Sequence, residues 1–212
     1  MNMSEQKLSV LAVVAAVTMV TSYQELALGA VVWDESIDGS LSTDRFDTTH
    51  FGTLAIGSND GIGTTVLGIS KFFTFNIGVD QELTSLVVES WVSRDDLAFL
   101  GVVTGDTFSV DPASPNVAKL LGYAHYGEPN VGQNILSLIG QSPGSQGFTA
   151  PLGPGDYSFW VRQAGPDPAT WDLNFVVEGS AVVPLPSAIW MGIGMLVASG
   201  VFGKMRRRST GR

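Results

Sequence analysis

Acidic side chains gather in two short segments whose chemistry suits a hard cation. Calcium takes roughly six to eight oxygen ligands, and carboxylates on loops can supply them. The candidate ligands are Asp34, Glu35, Asp38, Asp95 and Asp96, and a turn at Asn59–Gly61 offers further oxygens. None of these segments has the spacing of an EF-hand loop, and Asp, Asn and Gly also form ordinary turns. The sequence therefore names calcium as the candidate cofactor and turn formation as the competing explanation.

Residues for nucleophilic or zinc-dependent catalysis are scarce. The chain has two histidines, His50 and His125, and no cysteine. A Ser-His-Asp hydrolase needs one of them beside an activated serine, and the sequence predicts no nucleophile elbow and no His-Glu-x-x-His helix. Paired carboxylates for glycoside cleavage stay open, although no motif points to them. We therefore expect a protein that is not an enzyme.

Aromatic residues offer a second kind of binding surface. In a strand that includes Tyr157 and Phe159, Trp160 falls on the opposite face, next to Arg162. A tryptophan exposed in this way is a candidate for stacking against a sugar ring, whereas a buried one fills the core. Trp160 is therefore the candidate sugar ligand, and core packing is the alternative.

An all-β body is predicted to position these side chains. Apolar and polar residues alternate from Tyr157 to Val161 and from Trp171 to Val177, and these two segments are predicted to form an antiparallel pair around Ala164–Ala169. Further strands are predicted at Phe73–Ile77, Leu83–Val92 and Leu97–Val103, and one helical turn is predicted at Asn134–Ile139. Segments rich in Gly and Pro are predicted to separate the strands at Gly57–Gly63, Gly105–Pro115 and Pro143–Pro154. This pattern predicts a single jelly-roll-like β-sandwich domain over residues 31–178.

Residues 1–29 have the features of a signal peptide. Lys7 precedes the apolar stretch Leu8–Val20, which is as long as a signal-peptide core and too short for a comfortable membrane span. Ala27 and Gly29 are the small residues that signal peptidase needs, so cleavage is expected after Gly29, or alternatively after Ala30. An uncleaved N-terminal anchor is the other alternative. In each case the middle of the chain is exported, with the Sec machinery as the expected partner.

The C-terminal segment has three parts in a fixed order. They are a linker and motif over residues 179–187, ending in Val183, Pro184, Leu185, Pro186 and Ser187; an uncharged apolar run, Ala188–Gly203; and a basic cluster of Lys204, Arg206, Arg207 and Arg208. Sixteen helical residues rise about 24 Å, and a hydrocarbon core is about 30 Å thick. Residues 188–208 are therefore predicted to form a short transmembrane helix followed by its basic cluster, with a cytoplasmic C-terminus. A buried helix of a soluble domain is the alternative.

This tripartite tail resembles the PEP-CTERM class of bacterial sorting signals, in the VPLPA-CTERM variant whose motif reads Val-Pro-Leu-Pro-Ala. The chain departs from that variant at Ser187, where Ala is usual, and lacks the Glu of the commoner Pro-Glu-Pro form. The resemblance covers about thirty residues. It implies that an exosortase, an integral-membrane Cys-dependent transpeptidase, processes the tail near the motif. The protein would then be anchored transiently in the inner membrane before it reaches the cell surface or the extracellular space.

The middle of the chain is similar to the bacterial pre-peptidase C-terminal domain, a small β-sandwich module of secreted proteins. The similarity lies in Lys71–Phe75, Gly155–Val161 and Trp171–Val177, and Trp33–Ser42 resembles the entry strand of such domains. Lys71 stands where Asp is more usual. The resemblance implies an accessory or binding module and not a catalyst.

The charge of the middle region limits its partners. Residues 31–183 carry eighteen acidic and five basic side chains, a formal net charge of −13. This charge argues against nucleic acid as a partner, and binding to extracellular polysaccharide with acidic groups would need bridging cations. The sequence as a whole predicts an exported, exosortase-processed cell-surface or matrix protein with a structural or adhesive role. The alternative is an accessory carbohydrate- or calcium-binding module of an extracellular hydrolase system.

Overall fold

Two β-sheets with a shared apolar core form the body of the chain. The computed structural model describes residues 30–95 and 97–179, so the predicted signal peptide, sorting motif, transmembrane helix and basic cluster lie outside the described residues. The strands of the described part are β1 Ala30–Asp34, β2 Thr49–Thr53, β3 Asn59–Thr65, β4 Ser70–Ile77, β5 Gln81–Val92, β6 Ala98–Thr104, β7 Gly122–Tyr126, β8 Gly155–Gln163 and β9 Ala169–Gly179. The predicted all-β sandwich is confirmed, and so are the strands predicted around Phe73, Leu83 and Leu97.

Helical elements in this part of the chain are short and lie in connections. They are α1 Glu35–Asp38, α2 Leu136–Gly140 and two 3-10 turns, Val117–Lys119 and Glu128–Asn130. Helix α2 confirms the predicted turn near Asn134–Ile139. Among the described residues, no helix has the length and apolar character needed to cross a membrane.

Sheet A has the strand order β1-β3-β9-β5, and sheet B has the order β2-β4-β8-β6-β7. Pairing is antiparallel except at one edge of each sheet, where β1 runs parallel to β3 and β2 parallel to β4. The long edge strand β5 is covered by loops, because Leu83 exchanges two backbone hydrogen bonds with Leu152 and Leu86 O accepts one from Ile135 N. Covering an edge in this way prevents pairing with foreign strands.

The predicted antiparallel pair of β8 and β9 is wrong. β8 pairs with β4 and β6 in sheet B, whereas β9 pairs with β3 and β5 in sheet A. The connection of residues 164–168 therefore crosses from one sheet to the other. It contains Pro166 and Pro168, which have no N–H for a hairpin ladder, and it is longer than the two-residue turns that favour hairpins.

The segment Gly57–Gly63, predicted to separate strands, instead overlaps β3 inside sheet A. Aromatic rings explain why glycines stand in this strand. A Cβ at Gly63 would lie 2.6 Å from Trp171 Cζ2, and one at Gly61 would lie 3.2 Å from Phe51 Cε2. The two glycines weaken the strand by themselves but let the rings lie against its backbone.

The core between the sheets is rich in aromatic rings. Phe73 of sheet B is fully buried and stacks on Phe51 and Phe159, with ring centroids 4.7 and 5.1 Å apart. Its edge contact with Phe175 of sheet A has a centroid distance of 5.9 Å. Trp171 of sheet A is also buried and belongs to the same core.

Candidate functional site

Three of the predicted calcium ligands lie together around α1. Asp34 Oδ1 accepts a hydrogen bond from Ser36 N at 2.8 Å and so caps the helix, and Asp38 Oδ2 accepts one from Asp34 N at 2.8 Å. Each carboxylate thus bonds to the backbone of its own turn. This is the geometry that the turn-forming explanation predicts.

Glu35, the third acidic residue of this group, is held by a buried ion pair. Lys71 Nζ lies 2.7 Å from Glu35 Oε1 and 3.0 Å from Oε2, and both side chains are less than a tenth exposed. Leu41 N and Thr64 N each donate to the same carboxylate at 2.6 Å. Burial alone would raise the pKa of Glu35, but the bonds from Lys71, Leu41 and Thr64 lower it below its ordinary value. The pair ties α1 to β3 and β4, and Lys71 neutralises the carboxylate there.

Asp95 is bonded in a different place. Its carboxylate accepts a hydrogen bond from Asp167 N, and its backbone oxygen accepts one from Trp91 Nε1 at 3.0 Å. Asp96 lies outside the described residues. Across residues 30–95 and 97–179, no group of three or more His, Asp or Glu side chains is placed to hold a metal ion. Calcium binding stays a prediction without a preformed site in this part of the chain.

The outer face of sheet A carries an acidic row that the sequence did not reveal. Asp34, Asp60, Glu89 and Asp172 come from β1, β3, β5 and β9, one from each strand of the sheet. Burial raises the pKa of Asp172 to about 6, and the negative charges of Asp60, Glu89 and Asp34 add to this effect. Oδ1 of Asp172 is buried and has no hydrogen-bond partner among the described residues. Asp60 was predicted in a turn, and only strand pairing brings it near the others.

Replacing Asp172 by Asn is expected to raise the free energy of unfolding by about 1–2 kcal/mol at pH 7.5, allowing for solvent screening of a half-buried group. The raised pKa means that folded Asp172 holds its proton more tightly than the unfolded chain does. Ionisation of Asp172 therefore costs the wild type stability as the pH rises from about 4 to about 6, and this contribution should be absent from Asp172→Asn. Urea unfolding at about pH 4 and pH 7.5 measures the difference.

The exposed Glu128→Gln variant is the matched control. It should change the unfolding free energy by less than about 0.5 kcal/mol at either pH. The same stabilisation of Asp172→Asn at both pH values, or none at pH 7.5, would show that the acidic row does not strain the fold.

Trp160, the candidate sugar-binding residue, is 4% exposed, so its ring fills a core, as the alternative to sugar binding predicted. It packs in a second, smaller core on the outer face of sheet B, with ring centroids 4.6 Å from Phe99 and 5.8 Å from Phe108. The long connection between β6 and β7 carries Phe108 and Leu120 and covers this face. Both faces of β8 are therefore buried, which the alternation of its residues could not show.

Two hollows flank this covering connection. An open cleft of about 820 Å³ is lined by Arg45, Phe46, Asp111 and Arg162, among others. A narrower, mostly apolar cavity of about 350 Å³ lies beside it and shares Arg162. Phe46 is 63% exposed, and the guanidinium carbon of Arg45 lies 4.0 Å from the centre of its ring.

One serine motif that the sequence prediction missed has a structural role. Residues Gly140–Gly144 match the pattern Gly-x-Ser-x-Gly around Ser142. In a nucleophile elbow this serine links a strand to a following helix, but here Ser142 comes after the short helix α2. Its Oγ accepts from Tyr123 N at 2.9 Å and donates to Ile139 O at 2.8 Å, and it has no histidine partner among the described residues. The motif closes a turn.

The resemblances inferred from the sequence receive no independent test from known proteins. A comparison of the chain with protein family models, curated proteins and solved structures found no match. The function is therefore inferred from the motifs of the chain and the geometry of its described residues.

Proposed function

We propose that the protein is exported, processed by an exosortase and displayed at the cell surface or in the extracellular matrix, where it has a structural or adhesive role. The order of the tail carries this proposal: Val183–Ser187, then an apolar run, then the basic cluster. The two prolines of the motif keep it from continuing a helix and leave an extended segment that an enzyme can reach. The apolar run is short for a permanent anchor, which favours a temporary one.

The bounds of the β-sandwich support this route. Strand β1 begins at Ala30, directly after the expected signal-peptidase site at Gly29. Strand β9 ends at Gly179, before the motif begins at Val183. Cleavage at both predicted sites therefore removes no described strand.

The end of the sandwich remote from Gly179 supports an adhesive role. β9 runs from Ala169, opposite Thr65, to Gly179, opposite Gln81, a distance of about 33 Å at about 3.3 Å per residue. At the Ala169 end, Val92 and Leu67 are 69% and 55% exposed. Exposed apolar side chains at the end of the sandwich remote from Gly179 are suited to contact a partner.

Intact mass spectrometry of the mature protein from its native host tests the proposal. We expect a mass that lacks residues 1–29 and the residues beyond the motif. The double variant Pro184→Ala, Pro186→Ala should keep its tail, because the extended recognition segment is lost. Pro143→Ala, outside the motif, is the matched control and should be processed normally. A wild-type mass that still includes Arg206–Arg212 would defeat the proposal.

A further inference from the structure

The apolar cavity beside Arg162 has the size and lining of a small-molecule site. Its volume of about 350 Å³ lies within the range of roughly 300–1,000 Å³ that is usual for ligand pockets. Its wall includes Leu67, Phe99, Val117, Leu120 and Trp160. A wall of this kind suits a ligand with a flat apolar ring.

Arg162 lines this cavity and provides a positive charge there. Its backbone is fixed in β8, between Ser70 of β4 and Phe99 of β6. Among the described residues, an ion pair joins Lys71 to Glu35, whereas Arg162 forms no ion pair with any of them. No described carboxylate pairs with the guanidinium of Arg162, which can therefore bind an anion, bidentately if that anion is a carboxylate.

The acidic groups of the adjoining cleft do not neutralise Arg162. Asp44 Oδ1 accepts a hydrogen bond from Phe46 N at 2.9 Å, and Asp111 Oδ1 accepts one from Ala113 N at 3.0 Å. Each carboxylate thus closes its own loop. Neither lies within ion-pair distance of Arg162.

We propose that this cavity binds a small organic carboxylate with an apolar, aromatic-sized body. The carboxylate bonds to Arg162, and the body lies against Leu67, Phe99 and Trp160. One carboxylate fits this site better than a polyanion does, because the net charge of −13 on residues 31–183 repels extended negative chains. The inference does not depend on processing of the tail, so it and the proposed function can fail separately.

Calorimetric titration of 3-phenylpropionate into the full-length chain in lipid nanodiscs tests the inference, with empty nanodiscs as the blank. We expect saturable binding of one molecule per chain. Arg162→Gln should weaken it by about tenfold or more, since a charge-assisted bond is lost. The neutral analogue 3-phenylpropionamide should bind about tenfold more weakly to the wild type.

Two further variants separate loss of the site from loss of the fold. Arg94→Gln changes an exposed arginine that does not line the cavity and should bind like the wild type. Leu67→Glu places a negative charge on the exposed rim and should abolish binding. Absence of saturable heat, equal affinity for the acid and the amide, or unchanged binding by Arg162→Gln would each overturn the inference. Binding of glucuronate in place of 3-phenylpropionate would also overturn it and assign the cavity to sugars.

Discussion

Replacing Lys71 by Met is expected to lower the free energy of unfolding by about 3 kcal/mol. The change leaves the buried carboxylate of Glu35 without its positive partner, and breaking one half of a buried pair typically costs about 3–5 kcal/mol. The lower end applies because Leu41 N and Thr64 N still donate to Glu35. Chemical denaturation at neutral pH measures the loss.

Two comparisons isolate the pair in this experiment. The double variant Glu35→Gln, Lys71→Met should recover part of the loss, since no charge then remains buried. Lys119→Met removes an exposed lysine and should change stability by less than about 0.5 kcal/mol. If Lys71→Met lowers the free energy of unfolding by less than about 1 kcal/mol, water or another group must compensate the buried charge of Glu35.

The Lys71→Met deficit should also depend on pH in a defined direction. The pKa of Glu35 lies below its ordinary value, so the pair stabilises the fold at neutral pH and through the range where an unfolded glutamate titrates. This stabilisation is lost as the pH falls through the lowered pKa of Glu35. The difference in unfolding free energy between the wild type and Lys71→Met should therefore be largest at neutral pH and decrease only at acidic pH.

Replacing Phe73 by Ala is expected to cost about 4–5 kcal/mol, the upper part of the range for large-to-small changes in a core. The ring is fully buried and lies against Phe51, Phe159 and Phe175, so both sheets lose contacts. Rings fixed within two strand ladders cannot collapse far into the space that is left. Thermal and urea unfolding both measure the effect.

Phe73→Leu and Phe46→Ala complete this second experiment. Leucine fills part of the space, so its cost should be clearly smaller than that of alanine. Phe46 is 63% exposed, and its removal should cost less than about 1 kcal/mol. Equal losses at positions 73 and 46 would show that the aromatic cluster does not dominate the core.

The strands were predictable where the chain repeats a simple period. In β4, Phe73, Phe75 and Ile77 alternate with polar residues and face the core, and this local pattern was enough to place the strand. Strand β3 was not predictable in the same way. Its glycines at positions 61 and 63 look like turn residues until Phe51 and Trp171 are known to lie over them.

The candidate sites depend more on distant parts of the chain than on local spacing. The exposure of Trp160 is decided by Phe108 and Leu120, which a covering connection brings from another region. Likewise, Asp172 meets Asp60 and Glu89 only through strand pairing across sheet A. Spacing along the chain can predict α1 and its caps, because those bonds join residues four or fewer positions apart.

The crossing between β8 and β9 also sets the order in which the sandwich can form. These two strands, the last in the described chain, occupy inner positions of sheets B and A. Until they are present, β5 has no strand neighbour, while β3 has only β1 and β4 has only β2. Pairs such as Asp60 with Asn174 span most of the body, and such non-local closure slows folding. When the chain is delivered N-terminus first, both sheets therefore stay incomplete until residues 155–179 arrive. Folding of the sandwich is then completed only when the C-terminal segment is the next part of the chain to be delivered.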